Sequence, residues 1–210
     1  MCPFFAVLFA LSTAFASEIR EFDLKTIERL GNEITRESQR PDRGATSPVR
    51  KRAKQTAIAA LQGKLFNIHY DYVVLDDPSG NGLLVYALGS TGKSGQVVLG
   101  GHVRVSVSAD GGVVRRIDPL SRTLMIEDEK HTGLPKGTHL VASNYNQIVS
   151  NKPVETLIYT SALSRKHIFV QTPDGKMWQV GNGKMFIDKS KPGSDSMGAA
   201  ARKGFNENGR

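Results

Sequence analysis

Residues 87–94 read ALGSTGKS, which differs from the phosphate-cradling G-x-x-x-x-G-K-[ST] loop only in having Ala87 at its first position. Such a loop works when a strand feeds it and a helix starts at the Lys-Ser/Thr pair, aiming its N-terminus at the anion. The strand is there, in LLVYAL (83–88). The residues after the loop, GQVVLGGHVRVSVS, combine three glycines with many β-branched side chains and read as strand, not helix. Acids that could hold magnesium occur in VVLDD (73–77), which precedes the loop, and in LMIEDE (124–129), which ends a short expected strand. The expectation is a polar, Gly-rich connection between two strands, with no nucleotide and no cofactor.

A second grouping could move protons. From Lys64 the apolar period becomes two: Phe66, Ile68, Tyr70, Tyr72 and Val74 alternate with Asn67, His69, Asp71 and Val73, predicting a half-buried strand. His69 and Asp71 then share a face and can couple as a general base and its orienting carboxylate. They are the candidate catalytic pair of an envelope hydrolase of unknown substrate. The plainer alternative is a solvated strand face. The other histidines, His102, His131, His139 and His167, show no metal-binding spacing. Asp77, Ser79 and Asn81 imitate the start of a calcium loop, but Leu88 stands where its bidentate Glu belongs. No metal is expected.

The third grouping is cationic. Residues 36–54 hold Arg36, Arg40, Arg43, Arg50, Lys51, Arg52 and Lys54 against Glu37 and Asp42 alone. Arginine can clamp phosphate or carboxylate bidentately. The aromatic residues that single-stranded nucleic-acid binders interleave for stacking are missing, which argues against nucleic acid. The expected partner is an anionic envelope polymer, a lipid headgroup or an acidic protein. Arg43, Arg50, Lys51, Arg52 and Lys54 would meet it, and Arg104, Arg115 and Arg116, on the exposed face of a later hairpin, would extend the contact. The competing reading is a solvated linker and helix face.

The elements that must position these groups follow from periodicity. In residues 22–38, Leu24, Ile27, Leu30 and Ile34 make one apolar stripe, an amphipathic helix interrupted only by Gly31. QRPDRGATS (39–47) is a linker. Ser47-Pro48 starts a second helix, which Gly63 ends. Leu83–Gly89 and Gln96–Ser108 read as strands, the latter bent at Gly100-Gly101. Asp110-Gly111 turns it back through Val113–Ile117. Arg122–Ile126 reads as a short strand and Glu155–Thr160 as extended. Lys166–Thr172, Lys176–Gly181 and Lys184–Ile187 form a meander, in which Trp178 and Val180 share a face and point to the core.

The Val103–Ile117 hairpin, with its ADGG turn, resembles the last hairpin of PepSY-type, cystatin-like export domains. The likeness covers about fifteen residues and implies an outline only. The fold expected is α+β: N-terminal helices packed on a curved antiparallel β-sheet, cystatin-like in outline, with a C-terminal β-meander.

Location is read from the start of the chain. An apolar run from Phe4 to Leu11 closes on Ala14-Phe15-Ala16, the pattern of a secretory signal peptide cut after Ala16. The single cysteine, Cys2, falls inside it, so the mature chain has no thiol, and no mature segment is apolar enough to span a bilayer. The formal charge of +8 is unchanged by cleavage. The organisation expected is a signal peptide (1–16), an amphipathic helix with a basic linker (17–47), an α+β domain (48–187) and a disordered tail (188–210). The protein is expected in the periplasm or outside the cell, as a non-catalytic binding or accessory protein.

Overall fold

The structure, a computed structural model, describes residues 19–128 and 142–189. The expected leader, His131, His139 and residues 190–210 of the expected tail lie outside the described residues. The described elements run α1 (Leu24–Ser38), α2 (Pro48–Leu61), β1 (His69–Asp76), β2 (Gly82–Ser90), β3 (Gln96–Gly100), β4 (Val103–Ser108), β5 (Val114–Pro119), β6 (Met125–Asp128), β7 (Ala142–Asn146), α3 (Thr156–Ser164), β8 (His167–Gln171), β9 (Met177–Gly181) and β10 (Lys184–Ile187).

Local chemistry sets both N-terminal helices. The Asp23 carboxylate accepts the Thr26 amide at 3.0 Å and caps α1, whose buried stripe is Ile27, Leu30 and Ile34. Ser47 caps α2 by accepting the Arg50 amide at 3.3 Å, with Pro48 in the first position. Gly63 follows α2 with φ +70°, the left-handed conformation that ends helices.

The first sheet has strand order β1-β2-β4-β5 and is antiparallel throughout. Both of its faces are covered. On one, Val74, Val85, Ala87, Val105 and Val107 meet Ala53, Ala57 and Leu61 of α2. On the other, Val73, Leu75, Leu84, Tyr86 and Leu88 join Leu30 and Ile34 of α1 and Leu157 and Ile158 of α3. The second sheet, β10-β9-β8-β7, contains the expected meander, and Trp178 is buried there. The architecture is therefore α+β, with N-terminal helices on an antiparallel sheet and a C-terminal meander, as the sequence predicts.

Four local readings need correction. The strand expected from Lys64 starts at His69, because the chain closes in tight turns first: the Lys64 amide bonds the Leu61 carbonyl, and the Ile68 amide bonds that of Phe66. The strand expected over 96–108 is two strands in different sheets. Gly101 takes φ +102° between them, so β3 pairs with β6 while β4 pairs with β2 and β5. The short strand expected at Arg122–Ile126 lies slightly later, as β6. The extended segment at Glu155–Thr160 is helix α3. Thr156, Leu157, Ile158, Thr160 and Ser161 of α3 are all buried, so no polar face marks a helical period. This helix also links β7 to β8, which run parallel.

Candidate functional site

The structure brings His69 and Asp71 together at the start of β1. His69 Nε2 stands 3.5 Å from Asp71 Oδ1, on side chains 69% and 35% exposed. Asp71 is nearer to Arg43, whose Nη2 lies at 3.1 Å. Arg43 belongs to the α1–α2 connection, where φ +46° turns the chain so that its carbonyl accepts the Val74 amide at 3.0 Å. The linker thus pairs with the outer edge of β1 and delivers a guanidinium to Asp71. Across the ladder, His69 faces Ser90 and Asp71 faces Leu88. Tyr159 of α3 is close by. Burial pushes its hydroxyl pKa up, Asp71 adds to the rise, and Arg43 opposes it. Sequence reasoning missed Tyr159 because α3 lacked a helical pattern, and missed Ser90 because only the register sets it opposite His69.

The remaining cations do not converge on that place. Arg50 donates to the Gly44 carbonyl at 3.2 Å and the Val74 carbonyl at 3.0 Å, and pairs with Asp76 at 2.5 Å. It fastens the linker to β1. Arg36 and Arg40 flank Glu37 at 3.2 and 3.3 Å. The groove of about 300 Å³ beside them is lined by Glu33, Glu37 and Asp76 as well as by Arg36, Arg40 and Arg50, so its charges balance. On α2, Arg52 comes within 3.9 Å of Asp110, and Lys51 and Lys54 have no acidic partner among the described residues. Arg115 is exposed and donates to the Asn81 carbonyl at 2.7 Å. Arg116 Nε lies 2.5 Å from Asp118.

Arg104 corrects the expectation of an exposed hairpin face. It is 0% exposed. Its strand is covered on both sides, so the polar row between the valines of β4 points inward. Arg104 Nη2 donates to Asp118 Oδ2 at 2.8 Å, and its Nη1 donates to Glu155 Oε1 at 2.6 Å. The Tyr86 hydroxyl donates to the same Glu155 oxygen at 2.8 Å. The Arg20 carbonyl accepts from Nη2, and the Phe22 ring lies 4.6 Å from the guanidinium carbon. Burial alone would lower the Arg104 pKa; Glu155, Tyr86 and Asp118 outweigh it and raise it. Arg104 is enclosed and cannot reach an external partner. The sequence did not carry this pairing: the Asp110-Gly111 turn with the Val107–Val114 register would set Arg104 opposite Ile117, and a bulge between Ser106 and Val107 shifts it to Asp118.

The GSTGKS loop connects β2 to β3. A strand follows it, so the loop does not run into the N-terminus of a helix. The loop lines a cleft of about 370 Å³ with Val97, Val98, Tyr159 and Leu163. Among the described residues, no group of three or more His, Cys, Asp or Glu stands ready to hold a metal ion. Among them, too, no helix is long and apolar enough to cross a membrane. No protein-family model, curated protein or solved structure matches the chain.

Proposed function

We propose that this chain is an exported, non-catalytic binding or accessory protein of the bacterial cell envelope, and that it contacts an anionic polymer, a lipid headgroup or an acidic protein through α2. One observation carries the reading. The N-terminal half of α2 presents Arg50, Lys51, Arg52 and Lys54, with no acid in its first turn. A helix dipole disfavours cations there. Lys51 and Lys54 do not recover that cost through an acidic partner among the described residues. An external anion would relieve both effects.

The contact narrows to Lys51, Arg52 and Lys54, with Arg115 on β5. Arg43 and Arg50 hold the linker, Arg116 is engaged by Asp118, and Arg104 is enclosed. The location rests on the leader pattern at residues 1–16. The test is sedimentation with long-chain polyphosphate and with phosphatidylglycerol vesicles, across a salt series. Binding should weaken as salt rises and should be lost in the triple variant Lys51→Glu, Arg52→Glu, Lys54→Glu. Salt-independent binding that survives the triple reversal would sink the reading.

The 3.5 Å approach of His69 to Asp71 supports a second reading, an envelope hydrolase. Against it, Asp71 is nearer to Arg43 than to His69. The hydrolase reading requires that His69→Ala abolish a turnover while the protein stays folded.

A further inference from the structure

We infer that the cleft between the 89–96 loop and α3 is a binding site for a small organic phosphate ester with an apolar or aromatic body. The starting point is a set of hydrogen-bond donors with no protein acceptor among the described residues. In this loop the Ser90 Oγ accepts the Gly92 amide at 3.2 Å, and the Thr91 Oγ1 accepts the Lys93 amide at 3.2 Å. Each hydroxyl therefore keeps its own O–H to give away. Neither O–H is donated to a described residue, nor are those of Ser94 and Tyr159. Lys93 is exposed and has no acidic partner among the described residues, unlike the arginines around Glu37, Asp71 and Asp76.

Four hydroxyls and an ammonium line or border one concavity. Such a set suits a multivalent oxyanion, which accepts through several oxygens at once. The nearby negative charge of Asp71 is already matched by Arg43. The other wall is apolar: Val97, Val98, the Tyr159 ring and Leu163, which is 62% exposed. An inorganic ion would leave that wall wet, whereas an ester with a ring or short alkyl body would cover it. The volume of about 370 Å³ falls at the small end of ligand sites. The phosphate-loop likeness is absorbed here without its helix: the anion is met by side-chain O–H groups and Lys93.

The site is independent of the α2 surface, which lies on the opposite face of the first sheet. The test is an NMR titration of the ¹⁵N-labelled protein with phenyl phosphate, using inorganic phosphate and phenol as its two halves. Saturable shifts should be confined to amides 89–98 and 159–163, and each half should bind at least about tenfold more weakly. Lys93→Ala, a change on an exposed loop, should weaken phenyl phosphate about tenfold or more, and Leu163→Ser should weaken phenyl phosphate but not inorganic phosphate. The assignment fails if no saturation is reached by about 10 mM, if Lys93→Ala binds as well as the parent, or if the shifts map to α2.

Discussion

Replacing Arg104 by methionine tests the reading of the enclosed ion cluster. Methionine keeps the length of the side chain and removes every donor. Glu155, with its side chain 2% exposed, would lose its arginine, while Asp118, 1% exposed, would keep Arg116 but lose its buried partner. Removing one partner of a buried ion pair costs about 3–5 kcal/mol, because the remaining charge stays buried without compensation. For a folded chain of this size each kcal/mol moves Tm by roughly 2–4 °C, so a fall of about 6–20 °C is expected. Urea unfolding followed by Trp178 fluorescence measures the change, since that single tryptophan is buried. The midpoint should drop while the slope stays constant. A second substitution sharpens the test. Glu155→Gln keeps an oxygen for the Tyr86 hydroxyl but removes the charge. Alone it should destabilise by about 1–3 kcal/mol, since it weakens the bond to Arg104. Combined with Arg104→Met, the same change should stabilise, because it removes the stranded carboxylate. Arg115→Met, on the exposed side of the same hairpin, should change little. A cost below about 1 kcal/mol for Arg104→Met, or a Glu155→Gln effect of the same sign with and without Arg104→Met, would refute the reasoning.

Three further outcomes are expected. Gly31→Ala should lower the urea midpoint although alanine favours helix by about 1 kcal/mol, because its Cβ would sit 2.6 Å from Ile158 Cβ and 2.7 Å from the Glu155 carbonyl oxygen; a raised midpoint would disprove the close α1–α3 approach. Burial lowers the His102 pKa to about 4 against a weaker opposing bond from Val98, so the folded protein binds fewer protons than the unfolded chain below about pH 6.5. Stability should therefore decline as pH falls from about 6.5 to about 4, and His102→Gln should flatten that part of a pH series of urea midpoints. Burial alone would raise the Asp77 pKa, but the Arg20 guanidinium and the Ser79 donors outweigh it and hold it at about 2. Its contribution is present above about pH 4 and is lost as pH falls toward 2, so Asp77→Asn should remove that acid-dependent loss from the same series.

Much of the local structure was legible in the residues. The stripe of α1, the Ser47-Pro48 start of α2, the Asp110-Gly111 hairpin and the C-terminal meander are each written in contiguous positions, and each appears. Their causes are short-range: a capping oxygen three residues from its amide, a glycine that accepts a positive φ, an apolar period of two. Helix α3 was illegible because burial on several sides erases the polar face that reveals a helix. The two halves of 96–108 looked like one strand because periodicity does not record which sheet a strand joins.

The candidate sites divide along the same line. Sequence by itself determined which chemistry was available: an imidazole two residues from a carboxylate, a hydroxyl-rich loop carrying Lys93, and a cation-rich helix start. Only the tertiary structure decided what those groups face. Arg104 and Arg115 lie in one hairpin and look alike in the sequence. One is enclosed by Asp118, Glu155 and Tyr86, while the other lies exposed at the surface with a bond to the Asn81 carbonyl. Arg43 and Lys51 belong to one basic run, yet one is engaged by Asp71 and the other has no acidic partner among the described residues. The physical reason is range. Burial and ion pairing depend on groups far away in the chain, such as Glu155 from Arg104, and only packing brings those groups within a few ångströms.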